Sequence, residues 1–307
     1  MQKVNTFTLM IITVLYFSSC SISPDKSSQS LSSTPAGVNP AFTNIDTYNP
    51  GTGWAVAWSD EFSAPAINSS VWSCEVFPGS PPNGEWETYT SSGNNSYIDN
   101  FSGNGMLVIK AIYKGGGLAK GNFTSARIIS ANKKTFQYGK IAARIMMPYG
   151  TGIWPAFWML GANISELGGT QNWPGCGEID IVEVLGHAVN TMYETIHGPI
   201  GTLSGSDYNG GSGFGSGALN QGADLSQGFH VYEAEWSSTS ITFRFDGIPY
   251  YTISSNTVVS SGGLWVFNRP FFILFNLAVG GGWPGNPDIT TVFPQYMYVD
   301  WVRQYTN

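Results

Sequence analysis

The sequence predicts an all-β fold, a β-sandwich of the jelly-roll kind, and three observations carry that prediction. Apolar residues recur in short segments of period two. Gly, Asn and Pro close these segments. No capped 3.6-residue period is sustained anywhere, which predicts little helix. Many short strands in one long chain suit two packed sheets. In chain order, residues 106–111 form a strand after the Gly103-Asn104-Gly105 turn, and residues 138–145 form another, stopped by Pro148. Residues 230–236 and 241–245 flank a polar loop, and Asp246-Gly247 supplies the next turn. Residues 271–279 and 296–305 complete the set. The Gly-rich stretch 201–217 reads as a surface loop beside a site.

The first residues read as an export signal instead of folded protein. Lys3 precedes an apolar stretch over 7–17, too short to span a bilayer, which needs ~20 apolar residues. Ser18-Ser19-Cys20 resembles the lipobox of bacterial lipoproteins, in which the cysteine is lipidated. The expectation is a lipoprotein-type signal over 1–20 with lipidation at Cys20. It places the protein on the outer surface or outer membrane of a bacterium, or otherwise secreted. Any membrane contact would run through that anchor alone. Residues 21–50, rich in Ser, Pro, Thr and Asn, read as a flexible linker. Residues 51–307 suit one domain, acting as a monomer. Beyond the signal only Cys74 and Cys176 remain as partners for a disulfide, a pairing the sequence leaves open.

Charged residues make up 11% of the chain and the net charge is -7, so a nucleic-acid partner, which needs a basic stripe, is excluded. Aromatics reach 14%, which suits a protein that meets neutral polar polymers through ring faces, or simply an aromatic β core.

Within this charge-poor chain, Glu178-Ile179-Asp180-Ile181-Val182-Glu183-Val184 places three acids in six residues. Strict alternation puts Glu178 and Asp180 on one face and Glu183 with the isoleucines in the core. A buried, unpaired carboxylate is very unfavourable. One extra residue at Val182, a β-bulge, restores the phase and brings all three acids to one face. Acids sharing a face raise one another's pKa, so one carboxyl stays protonated beside an ionised one. Glycoside hydrolysis needs that pair. A polar strand edge or a Ca²⁺ site would also use three acids, but neither accounts for their density in so uncharged a chain.

The segment resembles the bulged Glu-x-Asp-x-x-Glu signature of glycoside hydrolase family 16, in the form typical of laminarinase-like endo-1,3-β-glucanases. Other segments are similar to that family in the expected order: Trp58 to Phe62, Thr124 to Ile128, Tyr138 to Ile141, Ile153 to Gly161, Asn276 to Gly281 and Val299 to Arg303. The resemblance implies a concanavalin A-like jelly roll with a concave cleft, and retaining hydrolysis of 1,3-β-glucans. It implies Glu178 as nucleophile, Glu183 as general acid/base and Asp180 as a hydrogen-bonding partner of the nucleophile. Trp154, Trp158 and Trp173 are candidates for stacking on sugar rings, with Trp173 the strongest because it lies in a Gly/Asn/Pro-rich loop. Asn83 and Glu85 fall in a segment similar to the family's Asn-Asn-Glu-Leu-Gln-Tyr-Tyr-Thr, from which this chain departs at Gly84, Trp86 and Glu87. Arg127 and His197 match an arginine and a histidine near the substrate.

The resemblance also implies a structural Ca²⁺ held by Glu61, Asp300 and a carbonyl around Gly105. His and Cys show no zinc-like spacing, so no catalytic metal or other cofactor is implied. The expected partner is a polysaccharide. Two other readings stand beside the first: a β-glucan-binding relative without activity, and the same fold acting on agarose, carrageenan or xyloglucan.

Overall fold

The alternation in the sequence becomes two stacked, mainly antiparallel sheets. The computed structural model describes residues 16–18, 46–77, 81–101 and 104–307. The front sheet runs in the order Tyr16–Ser18, Ser73–Val76, Arg127–Ile129, Phe271–Val279, Ile153–Gly161, Glu178–Val184, Thr191–His197 and Leu219–Asn220. The back sheet runs Ile248–Ser254, Ser240–Phe245, His230–Trp236, Gly139–Met146, Gln295–Thr306, Asn104–Tyr113, Phe123–Ser125 and Glu87–Tyr89. Ala55–Asp60 and Ser96–Phe101 pair beside that path. Strands remote in sequence thus lie side by side, as in a jelly roll. His230–Trp236 and Phe271–Val279 fall where the sequence places them. Helix is scarce, as expected: the one α-helix among the described residues is Ser255–Ser260, capped by Ser254, whose Oγ accepts from Thr257 N at 3.2 Å.

Period two decides which side chains fill the core. In Ile153–Gly161, Ile153, Phe157 and Met159 face inward, and Phe157 stacks on Phe275 with ring centres 4.7 Å apart. Ile141, Ala143 and Ile145 meet them from the back sheet. Each large apolar side chain buried here contributes about 1.5–3 kcal/mol. Trp154, Ala156 and Trp158 take the outward phase and become the floor of a cleft. Phe271–Val279 is buried along its whole length; Leu160, Ile164 and Cys176 pack on its outward-facing Phe272 and Leu274, and Asn276 lines the cleft.

The amino-terminal segment departs from expectation. Residues 46–50, read as linker, are docked on the outer face of the back sheet. The Tyr48 ring lies 5.5 Å from Trp301 and 5.9 Å from Tyr305. Its hydroxyl donates to Glu233 Oε2 at 2.5 Å, and Lys140 Nζ donates to the Pro50 carbonyl at 2.7 Å. One aromatic in a polar stretch is enough to seat it. Tyr16–Ser18, inside the stretch read as export signal, pairs antiparallel with Ser73–Val76. Cys20 and residues 21–45 lie outside the described residues. Cys176 is free and buried, so it does not pair with Cys74.

Candidate active site

The acidic strand is irregular where its sequence requires it. Against Ile153–Gly161, Asp180 pairs with Trp158 and Val182 with Phe157, so Ile181 has no partner. Against Thr191–His197, Asp180 pairs with Thr195 and Glu183 with Tyr193, so Ile181 and Val182 together face the single residue Glu194. The bulge therefore occupies Ile181 and Val182, and both are buried in the core with Ile179 and Val184. Glu178, Asp180 and Glu183 are left on the outward face and line the cleft. Entry to the strand needs a glycine. Gly177 has φ +83°, and a Cβ there would come within 2.9 Å of Phe271.

Each acid has its own neighbours. Trp154 Nε1 donates to Glu183 Oε1 at 3.0 Å, and Trp173 Nε1 donates to Glu178 Oε2 at 3.2 Å. Asp180 Oδ2 is buried without a hydrogen-bond partner, and His197 Nε2 stands 3.4 Å from it. The other ring nitrogen, Nδ1, lies 2.6 Å from Asp207 Oδ2, while Asp207 Oδ1 accepts from Gly198 N at 3.0 Å. Asp207 thus fixes the ring that faces the acids.

Burial favours the neutral form of all three carboxyls. It raises Glu178 against the opposing pull of His197 and Arg127. It raises Asp180 well above the usual range, aided by the charges of Glu178, Glu183 and Asp207. It lifts Glu183 to about 7, with help from Glu178 and against the Trp154 hydrogen bond. For His197, burial pulls the pKa down, but the bond to Asp207 and the charges of Glu178, Asp207 and Glu183 outweigh it and the ring is raised. Burial therefore raises the proton affinity of the whole acidic face, and the neighbours of each carboxyl set how far.

The cleft has a volume of about 1030 Å³, and all the residues singled out from the sequence for substrate binding line it: Asn83, Glu85, Arg127, Trp154, Trp158, Trp173 and His197. Arg127 plays a packing part as well, since its guanidinium pairs with Glu75 and lies 4.6 Å from the Trp158 ring centre. Trp158 in turn donates to Asn276 Oδ1 at 2.7 Å. Sequence reasoning missed Asp207, Tyr193, Asn276 and Trp283. Trp283, 43% exposed, packs edge-on against Trp154 and Tyr193 with ring centres 5.5 Å and 4.8 Å away. Its signal was there, because it sits in a Gly/Pro-rich loop like Trp173. The Gly-rich loop also reaches the site, with Gly211 to Gly215 and Gly217 on the cleft wall.

The residues expected to hold calcium lie elsewhere, on the back of the molecule. Arg303 binds both oxygens of Glu61, at 2.8 and 2.7 Å, and Arg144 Nη1 lies 2.6 Å from Asp300 Oδ2. Gly105 packs against the Phe62 carbonyl, where a Cβ would approach to 2.3 Å. As placed, an arginine already neutralises each of the two carboxylates, so the pair does not fit a calcium cage.

Comparison with known proteins agrees with this geometry. Residues 85–303 match the family model described as Glycosyl hydrolases family 16. The chain is 31% identical over 261 residues to the Beta-glucanase of Rhodothermus marinus, covering 82% of this chain and 85% of that protein. The laminarinase catalytic domain of Thermotoga maritima superposes with a TM-score of 0.72 at 42% identity, over 83% of this chain and 98% of that one. LamA of Zobellia galactanivorans, solved with laminaritriose and laminaritetraose, superposes with a TM-score of 0.67 at 30% identity, over 82% and 98% of the two chains.

Proposed function

The chain belongs to glycosyl hydrolases family 16, and from that premise we propose that it cleaves internal 1,3-β-D-glucosidic bonds of β-glucans such as laminarin, with retention at the anomeric carbon. The observation that carries the reading is the bulged strand that brings Glu178, Asp180 and Glu183 to one face of the cleft, where burial and the Glu178 charge lift Glu183 to about 7. Glu183 gives its proton to the glycosidic oxygen as that bond breaks, and a Glu178 oxygen forms a bond to the anomeric carbon. Glu183, now ionised, takes a proton from water as the water oxygen attacks the same carbon and releases Glu178. Asp180, buried between the two, keeps a proton near the nucleophile. Asp207 holds His197 against it.

Replacing Glu178 with Gln tests this reading directly. Reducing-sugar release from laminarin is expected to fall by at least ~10³-fold, because a residue that acts as part of a catalytic unit removes most of the rate on its own. Turnover at the original rate would end the assignment. Export belongs to the same proposal, with lipid attached at Cys20. Labelled palmitate should enter the protein in a bacterial host and be lost on Cys20→Ser; label retained in that variant would refute the anchor.

A further inference from the structure

Glu87 is a buried acid that the cleavage cycle does not use. It is 2% exposed, and it opens the strand Glu87–Tyr89. Its Oε2 accepts from Val279 N at 2.7 Å, while Oε1 is buried with no hydrogen-bond partner. Two residues earlier stands Glu85, itself 4% exposed and part of the cleft wall. Donors converge on Glu85. Trp158 Nε1 donates to Asn276 Oδ1 at 2.7 Å, Asn276 Nδ2 to Tyr89 OH at 3.1 Å, and Tyr89 OH to Glu85 Oε2 at 3.0 Å. Asn83 Nδ2 approaches Glu85 Oε1 at 3.5 Å.

The donors at hand, Tyr89 OH and Asn83 Nδ2, are spent on Glu85. No such donor serves Oε1 of Glu87. Among the described residues, the charged and titratable groups facing the pair are Tyr89 beside it, whose proton goes to Glu85, and Arg127, whose guanidinium is taken by Glu75. Two adjacent buried carboxylates without a free cation are very unfavourable, and one proton between them removes the conflict. Burial and the neighbouring Glu85 charge both push the Glu87 carboxyl well up, in agreement with the geometry.

We propose that Glu87 is a positioning residue held as the neutral acid, which donates its proton to Glu85 and so fixes Glu85 for hydrogen bonding to sugar hydroxyls beyond Asn83. Glu87 in this state offers what an amide would: one donor to Glu85 and one acceptor for Val279 N–H. Loss of the shared proton at alkaline pH sets two buried anions against each other, and Glu85 loses its alignment. The inference rests on the glucanase reading for the identity of the ligand, but the shared proton is independent of it.

The test compares the full chain with its Glu87→Gln and Glu87→Ala variants on laminarin oligosaccharides across pH. In the unaltered protein KM should rise about tenfold or more on the alkaline side, the scale of one hydrogen bond to a charged group. In Glu87→Gln, KM should stay flat, while kcat keeps the pH profile set by Glu183. Glu87→Ala should raise KM at every pH. An infrared difference spectrum of the unaltered protein against Glu87→Gln should show one protonated carboxyl band lost. Glu87→Gln with a KM that climbs in parallel with the unaltered protein, or a spectrum with no such band, overturns the proposal. Absence of sugar release from every form would instead refute the glucanase reading, and the infrared band would still decide the proton.

Discussion

The acidic strand of the front sheet and the ion pairs of the back sheet treat the same chemical group in opposite ways. On the back, buried acids are matched with cations: Asp300 with Arg144 at 2.6 Å, and Glu233 with Lys140 at 3.6 Å. On the front, Glu178, Asp180 and Glu183 crowd one strand with a single histidine among them, and Asp180 keeps an oxygen without a hydrogen-bond partner. The back pairs hold the fold. The front acids oppose it, and their raised proton affinity is the form that opposition takes. Electrostatic strain left uncompensated along one strand, in a molecule able to neutralise buried acids elsewhere, marks where chemistry happens.

The comparison breaks most severely on the back. Arg144→Met removes the guanidinium that stands 2.6 Å from the buried Asp300 carboxylate and should lower unfolding free energy by about 3–5 kcal/mol. Urea melts check this, while activity of the remaining folded enzyme should be little changed. The front should respond with the opposite sign. Glu183 is lifted from 4.5 to about 7 in the folded state, so the native protein holds this proton more tightly than the unfolded chain. Its contribution is harmless below about pH 4.5, grows unfavourable as pH rises toward 7, and stays so above. Glu183→Gln should therefore gain on the order of 1–3 kcal/mol at pH 8 and almost nothing at pH 4, as turnover falls by ~10²–10⁴-fold. A variant equally stabilised at both pH values would show that charge is not the cause. The smallest effect sharpens the contrast. The Trp154 hydrogen bond favours ionised Glu183, so Trp154→Phe should raise that pKa and move the alkaline limb of kcat upward by roughly half to one pH unit.

Much of this was legible in the chain before any coordinates. The bulge follows from counting: Glu183 falls out of phase with Glu178, and a buried carboxylate is a worse outcome than an irregular strand. The strands followed because they alternate on one buried face. What escaped was long-range or local in a misleading way. Asp207 reaches His197 from a loop ten residues on, a contact no periodicity encodes. Tyr48 docks from a stretch whose polar composition predicts only linker. Glu61 and Asp300 look like cation ligands until Arg303 and Arg144 are seen beside them. Glu87 stands in the sequence only as a departure from the family segment, and its burial next to Glu85 is what points to a shared proton.

Trp173 and Trp283, 46% and 43% exposed, stand at opposite ends of the acidic strand, one bonded to Glu178 and the other packed on the tryptophan that serves Glu183. Only a ligand longer than the distance between them can cover both rings at once, and each covered ring adds to its hold. Long chains are thus favoured over their own fragments. The thickness of a glucan solution should collapse early, while few new chain ends have yet accumulated, and the reaction should slow as the average piece shrinks below that span.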